Sequence, residues 1–311
     1  MTTVVFGGAG FVGSHLCRRL LFDGHNVLCV DDLSTGVREN ISELLPDERF
    51  TFLNQDICNP LDVEASLIFN LACPASPKAY QKTPTRTTKT AVIGAINCLE
   101  LANKNQATVF QASTSEVYGD AKIHPQTESY WGNVNPVGQR ACYDEGKRCA
   151  ETLFFDYHRE FKTDIRVGRI FNTYGPRMRA SDGRVVTTLI TQALHDKPLT
   201  VYGDGSQTRS FCYVDDLIEG IMRMVSQSDH VGPMNLGNPN EVTILELARM
   251  ILQLTGSKSE VLFRDLPQDD PLKRKPDIRT AQSALDQWEP KVSLTEGLRK
   301  TITHLREETQ R

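Results

Sequence analysis

Near the start of the chain stands Thr3-Val4-Val5-Phe6-Gly7-Gly8-Ala9-Gly10-Phe11-Val12-Gly13, an apolar run that passes directly into a glycine loop. The run over 3–6 predicts a strand, and the apolar positions over 10–22 predict the helix that follows it. Gly7 permits a tight turn, Gly10 lets the backbone approach a pyrophosphate, and Gly13 allows the helix to pack closely on the strand. This order predicts the first strand–loop–helix unit of a dinucleotide-binding fold.

Two acids follow the second predicted strand, at 26–30, and they indicate which dinucleotide binds. Asp31 and Asp32 come 18 and 19 residues after Gly13. A carboxylate at this position can bind the ribose 2′-OH and repels a 2′-phosphate, so the sequence favours NAD over NADP. A structural glycine turn with surface acids is the alternative. The other expected NAD contacts lie in the loop or after later strands: Phe11, Val12, Asp56, Ile57, Leu71 and Ala72.

The first 171 residues alternate between strand-like and helix-like patterns, as in a doubly wound α/β protein. Further strands are predicted at 50–53, 67–71, 108–112 and 165–170, and helices at 88–103 and 140–161. Beyond Gly175-Pro176 the pattern loosens, with helices predicted at 185–195, 211–224 and 294–307 and a charged, proline-containing stretch at 266–276. We therefore expect a parallel Rossmann sheet with a smaller α/β C-terminal substrate lobe. We expect residues 1–171 and about 211–230 to form the NAD-binding domain, and residues 172–210 and 231–311 to form the nucleotide-sugar-binding lobe.

Composition excludes several classes of partner. The chain has 311 residues and a formal net charge of −4, so no general attraction to nucleic acid or an anionic membrane is expected. Its eight cysteines show no C-x-x-C spacing, and its seven histidines show no metal-ligand spacing. The glycine loop begins at residue 7, which leaves no room for a signal peptide ahead of it, and no apolar run reaches about 18 residues. These features predict a cytoplasmic protein without a metal.

Tyr143 and Lys147 are spaced one helical turn apart, which places a phenol and an ammonium on the same face of the predicted helix. The ammonium is expected to stabilise the phenolate and to lower the pKa of Tyr143. Such a phenolate could take a proton from a sugar hydroxyl while a hydride leaves the same carbon. Glu116 adds a second acid/base group. The alternatives are a packed tyrosine near a solvated lysine, and a buried structural carboxylate or cap at Glu116.

Together with Thr114 at the end of a strand, the glycine loop and the Tyr-x-x-x-Lys pair resemble the extended, nucleotide-sugar branch of the short-chain dehydrogenase/reductase superfamily. Longer stretches resemble the UDP-glucuronate decarboxylase (UDP-xylose synthase) family. They include Arg140-Ala141-Cys142-Tyr143-Asp144-Glu145-Gly146-Lys147-Arg148, Arg169-Ile170-Phe171-Asn172-Thr173-Tyr174-Gly175-Pro176-Arg177-Met178 and Lys273-Arg274-Lys275-Pro276-Asp277-Ile278. These stretches lie along much of the chain.

The resemblance implies a three-step reaction on UDP-glucuronate. Tyr143, assisted by Thr114, deprotonates the sugar 4-OH while NAD takes the hydride, and the resulting 4-keto acid loses CO₂. C5 is then protonated, and the hydride returns to C4 to give UDP-xylose. The resemblance further implies that Ser115, Glu116 and Arg274 act around C5 and its carboxylate, and leaves open which group supplies the C5 proton. Arg274 could alternatively belong to a solvated, charged loop.

The Ser115-Glu116 pair helps to distinguish this chain from other enzymes of the same fold. A dTDP-glucose 4,6-dehydratase carries Asp-Glu at these positions, and Ser115 lacks the acidity that expulsion of the C6 hydroxyl requires. A 4-epimerase usually lacks the glutamate. Release of the 4-keto pentose by an oxidative decarboxylase stays open, as does a non-catalytic regulator that binds NAD or a nucleotide sugar.

The remaining expected contacts hold the nucleotide sugar. A diphosphate in a mildly acidic protein needs bidentate arginines, for which Arg184 and Arg209 are the candidates. The other expected substrate contacts are Ser76, Tyr80, Asn172, Tyr202 and Arg274, although Tyr202 could instead be a core residue. Thr187-Thr188 stands where the family commonly has Ser-Asn, and Leu33-Ser34 departs from the family's usual sequence after the strand-2 acid. The helices predicted at 88–103 and 140–161 resemble the pair that forms a homodimer interface in this superfamily.

Overall fold

The structure is a computed structural model that describes residues 2–265 and 273–309. In these residues the strands are short apolar and β-branched segments, and most of them are buried. They are β1 Thr2–Phe6, β2 Asn26–Asp31, β3 Phe50–Asn54, β4 Leu67–Asn70, β5 Thr108–Thr114, β6 Ile165–Ile170, β7 Thr173–Tyr174, β8 Leu199–Tyr202, β9 Thr208–Ser210, β10 Cys212–Tyr213, β11 Met234–Leu236, β12 Glu241–Thr243, β13 Val261–Arg264 and β14 Lys273–Arg274.

Helices connect most of these strands, and two short 3₁₀ turns, Arg38–Ile41 and Ser115–Tyr118, follow β2 and β5. The helices are α1 Phe11–Phe22, α2 Pro77–Lys82, α3 Pro84–Asn105, α4 Ala141–Phe161, α5 Val185–Leu194, α6 Val214–Ser226, α7 Ile244–Thr255, α8 Arg279–Ala284 and α9 Leu294–Thr309. Within the described ranges, none of them combines the length and the apolar character that crossing a bilayer requires.

The central sheet has seven strands in the order β11-β6-β5-β4-β1-β2-β3, and every pairing in it is parallel. This confirms the predicted doubly wound sheet. The strand order reverses between β1 and β4, and ligands of open α/β sheets bind at the carboxyl ends of the strands beside such a point. The glycine loop after β1 and the segment after β4 therefore open into the same crevice.

Two differences from the predicted elements concern the later part of the chain. The predicted helix 211–224 begins only at Val214, because Cys212–Tyr213 forms the short strand β10 beside β7. β11 joins the edge of the central sheet next to β6, although the predicted boundary assigned residues from 231 onwards to the second lobe. The division into two lobes itself stays a prediction.

Both faces of the sheet are covered by apolar helices, so the sheet is a buried layer. One core joins the sheet to α1, α6 and the C-terminal helices, and the other joins it to α3 and α4. Phe69 of β4 and Phe110 of β5 contact each other across neighbouring strands, with ring centres 5.9 Å apart. A sheet packed on both faces holds its carboxyl ends in fixed positions, which the residues of a site require.

Outside the central sheet, β9 pairs with β12 and β14, and β8 pairs with β13. The register of β14 on β9 sets Arg274 opposite Arg209. Residues 266–272 of the charged stretch predicted at 266–276 lie outside the described residues. Just beyond β14, the chain forms a bridge between Pro276 and Gln126. This pairing brings the C-terminal part of the chain against the loop that follows β5.

Candidate active site

A cavity of about 840 Å³ lies at the carboxyl ends of β1, β4, β5 and β6 and extends to β9 and β14. Its wall includes every residue that the sequence predicts as a site residue, with the exceptions of Asp56 and Tyr80. The geometry thus brings residues from widely separated segments of the chain to one crevice. Their individual roles stay predictions.

The glycine loop has the shape that the sequence predicts. Gly7 has a φ of +78°, and a Cβ on Gly13 would lie 2.1 Å from the Gly7 carbonyl oxygen. A side chain at either position is therefore excluded by the backbone itself. Gly10 precedes α1 and presents the helix N-terminus to the cavity without a side-chain cap. This arrangement can hold a pyrophosphate by backbone N–H groups and by the helix dipole.

Replacing Gly13 with alanine tests this loop. Gly13→Ala forces the loop away from α1, because a distance of 2.1 Å to a carbonyl oxygen cannot be relaxed by a side-chain movement. We expect the Kd for NAD to rise about 5- to 150-fold, since overpacking costs roughly 1–3 kcal/mol. Gly10→Ala, whose Cβ lies 3.1 Å from the same oxygen, should lower the melting temperature less than Gly13→Ala does. Equal melting temperatures for the two variants would contradict this account of the loop.

The two acids after β2 have different surroundings. Asp31 is buried, and its carboxylate accepts hydrogen bonds from the backbone N–H groups of Ala9 at 3.0 Å and Leu33 at 2.8 Å. Burial raises its pKa, which these hydrogen bonds oppose. Asp32 forms an ion pair with Arg86 of α3 at 2.5 Å, and Arg86 also lies 3.6 Å from Asp56. Asp31 thus fixes the glycine loop, while Asp32 is the more exposed acid at the cavity.

Tyr143 and Lys147 lie in the cavity wall, one turn apart on α4, and both side chains are buried. Lys147 Nζ donates a hydrogen bond to the Ala112 carbonyl at 2.8 Å and lies 5.9 Å from the centre of the Tyr143 ring. The alternative of a solvated lysine is therefore wrong.

The pKa of Tyr143 differs from the expectation. Burial raises this pKa above its ordinary value, and a hydrogen bond with Thr114 only partly opposes the shift. Burial also lowers the pKa of Lys147. The expected lowering of the tyrosine pKa by the lysine is wrong for the polypeptide alone, because desolvation of the phenolate outweighs the attraction of one ammonium. In the resting protein Tyr143 is a phenol that can donate a hydrogen bond.

Thr114 and Ser115 stand where β5 passes into the 3₁₀ turn, and a buried ion pair supports this junction from behind. Ser113 Oγ donates to Glu151 Oε1 at 2.5 Å, and Arg169 donates to both oxygens of Glu151 at 2.9 and 2.7 Å. Thr114 Oγ1 accepts a hydrogen bond from the Glu116 N–H at 3.2 Å. The backbone that carries the three predicted catalytic residues Thr114, Ser115 and Glu116 is therefore held in one conformation.

Glu116 lies between two arginines. Arg274 of β14 donates to both of its carboxylate oxygens, at 2.6 and 3.0 Å, and Arg140 at the start of α4 donates to Oε2 at 2.9 Å. Burial alone would raise the pKa of Glu116, but the charges of Arg274 and Arg140 outweigh it and lower this pKa to about 2. The carboxylate is therefore ionised at neutral pH. We call these three side chains the Arg140–Glu116–Arg274 cluster.

The cluster decides between two interpretations of Arg274. Its side chain is 9% exposed and its guanidinium is fully engaged with Glu116 on one edge, so the alternative of a solvated loop is wrong. All three members of the cluster line the cavity. A buried group of two guanidiniums and one carboxylate carries an excess positive charge, which suits an anionic substituent on a ligand.

The predicted phosphate and nucleotide contacts lie on both sides of the cavity. Arg209 is buried in β9 beside Arg274. Arg184 pairs with Asp182 and lies 6.0 Å from the centre of the Phe11 ring, which places it near the glycine loop. Tyr202 is 46% exposed and lines the cavity, so the core alternative for this residue is wrong.

Two predicted contacts are not brought to the cavity wall. Tyr80 is buried behind Tyr143, with the two rings stacked at 5.3 Å, because α2 turns this side chain inward. Asp56 accepts a hydrogen bond from the Cys58 N–H at 2.9 Å and lies near Arg86 instead. In each case a neighbouring residue lines the cavity instead. Tyr143 does so in front of Tyr80, and Ile57 does so next to Asp56.

Sequence reasoning missed Arg140 as a site residue. The signal was present, because Arg140 precedes Tyr143 by three residues and such a spacing places two residues on neighbouring positions of one helix face. It also missed Thr90 of α3, which lines the cavity and has no motif to mark it.

Comparisons with known proteins identify relatives of this chain. Residues 3–237 match the model of the NAD dependent epimerase/dehydratase family. UDP-glucuronic acid decarboxylase 4 of Arabidopsis thaliana is 52% identical over 307 residues, which span 99% of this chain and 69% of that protein. UDP-glucuronic acid decarboxylase 1 of Xenopus tropicalis is 51% identical over 307 residues, which span 99% of this chain and 72% of that protein. The structure of UDP-glucuronic acid 4-epimerase from Bacillus cereus in complex with UDP-glucuronic acid and NAD has a TM-score of 0.89 and 29% sequence identity, and the match covers 99% of this chain and 100% of that chain.

Proposed function

The chain belongs to the NAD dependent epimerase/dehydratase family, and from that premise we propose that it is an NAD-dependent UDP-glucuronate decarboxylase that forms UDP-xylose and CO₂. The observation that carries the proposal is the Arg140–Glu116–Arg274 cluster, which opens into the cavity beside Tyr143. A neutral hexose offers this cluster nothing to neutralise, whereas the carboxylate of glucuronate does. The chain is also 52% identical to a UDP-glucuronic acid decarboxylase over nearly its whole length.

The glycine loop, with no space for a Cβ at Gly13, and the acids after β2 fit NAD. Gly7, Gly10, Phe11, Val12 and Gly13 would hold its pyrophosphate half, and Asp31, Asp32, Ile57, Leu71 and Ala72 its adenosine half, with Tyr143 and Lys147 at the far end. Bound NAD supplies a hydride acceptor and, with its cationic nicotinamide, favours the ionised form of a nearby phenol.

In the first step the chain's own groups move one proton. Tyr143, hydrogen-bonded to Thr114, receives the proton of the sugar 4-OH and becomes a phenol again as the ketone forms. Lys147 contributes a fixed positive charge from a buried position one turn away. The raised pKa of Tyr143 has a use in the following step, because a phenol that holds its proton is a good hydrogen-bond donor.

Loss of CO₂ from the 4-keto acid leaves negative charge on the C4 oxygen. Tyr143 and Thr114 are placed to donate hydrogen bonds to that oxyanion, which lowers the barrier to decarboxylation. Ser115 and the arginine cluster hold the carboxylate before it departs. Since Glu116 has a pKa of about 2, its proposed role is to keep Arg140 and Arg274 in position rather than to carry a proton at neutral pH.

Arg140 provides a test of carboxylate recognition. In a Tyr143→Phe background, which prevents turnover, Arg140→Gln should raise the Kd for UDP-glucuronate about 10- to 100-fold, since a hydrogen bond to a charged group contributes about 1.5–3 kcal/mol. The Kd for UDP-xylose, which has no carboxylate, should change little. Isothermal titration calorimetry with both ligands measures the difference. A similar loss of affinity for both would show that Arg140 does not recognise the carboxylate.

The competing enzyme activities can be separated by substrate. Among solved structures with similar folds are UDP-glucuronic acid 4-epimerase and dTDP-glucose 4,6-dehydratase. The purified protein should be incubated in parallel with UDP-glucuronate, UDP-glucose and dTDP-glucose, and the products identified by mass spectrometry and proton NMR. We expect a product from UDP-glucuronate alone. Turnover of dTDP-glucose, with UDP-glucuronate unchanged, would replace the decarboxylase proposal with a dehydratase.

We further propose a cytoplasmic homodimer that assembles through α3 and α4. All eight cysteines lie in described residues and none is in a disulfide, as suits a reducing compartment. α3 and α4 pack side by side, and Ile93 and Phe161 on them are exposed large apolar residues. Multi-angle light scattering should give twice the chain mass of 34.8 kDa. A mass of one chain would contradict the dimer. The proposed partners include neither nucleic acid nor a membrane.

A further inference from the structure

Asp144 is a buried carboxyl group beside the active site for which the mechanism above has no use. It follows Tyr143 in the first turn of α4 and is only 6% exposed. Its Oδ1 atom accepts no hydrogen bond from any of the described residues. An unpaired oxygen on a buried acid is costly, because neither water nor a donor stabilises its charge. Such an oxygen calls for a functional explanation.

The groups that face Asp144 come from four elements. Arg140, the N-cap residue of α4, lies one turn before it and Glu145 directly after it. Glu116 projects from the 3₁₀ turn, and Arg274 projects from β14. Tyr80 of α2 faces the same region, and its hydroxyl is also buried without a hydrogen-bond partner in the described residues. Burial raises the pKa of Asp144 to about 7, with Glu116 adding to the shift and Arg140 and Arg274 opposing it.

The charges of this region can be balanced in two ways. With Asp144 ionised, two carboxylates balance the two guanidiniums of the Arg140–Glu116–Arg274 cluster. A bound sugar carboxylate would add a third negative charge to this buried group. If Asp144 is then protonated it carries no charge, and the carboxylates of Glu116 and the sugar balance the two guanidiniums. Asp144 does not line the cavity, so it reaches the substrate only through Arg140 and the cluster.

We propose that Asp144 is a positioning residue that takes up a proton from solvent when the substrate carboxylate binds beside Arg140 and Arg274, so that this buried region keeps its charge balance with the ligand bound. The step forms one O–H bond on the Asp144 carboxylate and breaks none in the substrate. The inference rests on the proposed function, since it assumes a ligand with a carboxylate. Departure of CO₂ moves the third negative charge to the C4 oxygen, and protonation of C5 then removes it. Asp144 returns its proton to solvent after that step.

The inference predicts a coupling between pH and affinity. A second anion close to Asp144 raises its pKa further, so protons bind more tightly to the complex than to the free protein. By linkage, affinity for UDP-glucuronate should fall as pH rises from 6.5 to 8.5. Glu116 and Tyr80 do not titrate in this range, because the pKa of Glu116 is about 2 and burial holds the pKa of Tyr80 above the range.

Calorimetry of the NAD-bound protein counts the protons directly. UDP-glucuronate is titrated into the Tyr143→Phe protein at pH 7 in phosphate and in Tris, buffers of low and high ionisation enthalpy. The slope of binding enthalpy against buffer ionisation enthalpy gives the protons taken up. We expect about 0.5 proton at pH 7 and more at pH 8, because a group with a pKa of about 7 is half protonated at pH 7 before the ligand binds.

Two controls decide the outcome. The isosteric change Asp144→Asn in the same background should abolish proton uptake, and UDP-xylose should bind the unchanged background without any. Proton uptake that persists in the Asp144→Asn variant, or equal uptake with UDP-xylose, would overturn the inference. Circular dichroism and thermal melting establish that the variant is folded. If Asp144→Asn does not fold, Asp144→Ser takes its place.

Failure of this inference is distinguishable from failure of the proposed function. UDP-glucuronate that binds and is decarboxylated by the unmodified protein, but binds Tyr143→Phe without proton uptake, refutes only the role of Asp144. Absence of both binding and turnover refutes the decarboxylase itself.

Discussion

Tyr143→Phe should lower kcat for UDP-glucuronate by about 10³-fold, since a positioned acid/base group contributes roughly 10²- to 10⁴-fold. The variant loses the proton acceptor of the first step and a hydrogen-bond donor to the C4 oxyanion of the second. Phenylalanine keeps the ring that stacks on Tyr80 at 5.3 Å, so the fold and the NAD site should persist. Single-turnover kinetics and the Kd for UDP-glucuronate separate the lost chemistry from binding.

Tyr157→Phe is the matched control, because it makes the same chemical change on the same helix. Tyr157 pairs with Glu100 of α3 and does not line the cavity. This variant should keep the parental kcat. If Tyr143→Phe retained more than about a tenth of the parental kcat, general acid/base catalysis by this residue would be excluded.

The second large effect concerns Glu116. Glu116→Gln should lower kcat/KM for UDP-glucuronate by about 10²-fold or more, because removing one partner of a buried ion pair costs roughly 3–5 kcal/mol. The amide keeps the shape of the side chain but leaves Arg140 and Arg274 without the carboxylate that holds them. Activity should be reduced at every pH from 6 to 9, because the pKa of Glu116 is about 2 and the native carboxylate stays ionised throughout.

Glu219→Gln is the control for Glu116→Gln. Glu219 of α6 also accepts hydrogen bonds from two arginines, from Arg19 at 2.8 Å and from Arg223 at 2.8 Å, but it does not line the cavity. It should lower the melting temperature and change kcat much less than Glu116→Gln does. Equal losses of kcat in the two variants would show that Glu116 acts only through stability.

Stability has a separate pH dependence through the same residue. The pKa of Glu116 is lowered in the folded protein, so its ionised form stabilises the fold above the ordinary pKa of a glutamate, near 4.5. This contribution is lost as pH falls from about 4.5 to about 2. A melting curve recorded across that window should therefore show a loss of stability that is smaller in Glu116→Gln.

Local sequence predicted the shape of the glycine loop and the position of Asp31 beside it. The glycine loop and Asp31 act within one strand–loop–helix unit, and their spacing alone fixes how close the helix can approach the strand. The Tyr143–Lys147 pair is also local, since helical geometry sets both residues on one face. What could not be predicted from spacing was the pKa of Tyr143, because it depends on burial by distant parts of the chain.

The substrate half depends on pairings between distant segments. Glu116 and Arg274 are 158 residues apart, and they meet because β14 pairs with β9 and the chain beyond it bridges to the loop after β5. No periodic pattern encodes such a two-residue strand. For Tyr80 the sequence predicted a contact that the fold does not make. It lies in the segment predicted as a loop, but α2 turns its side chain behind Tyr143.

The central claim is that the chain oxidises C4, removes the carboxyl group and returns the same hydride to C4. The most direct test is incubation of the purified protein with UDP-glucuronate carrying deuterium at C4, in ordinary water and without added NAD. We predict UDP-xylose that retains deuterium at C4, read by proton NMR and mass spectrometry, with release of CO₂. A 4-keto pentose with deuterium in NADH would contradict the closed cycle, and unchanged substrate, even after NAD is supplied, would contradict the decarboxylase.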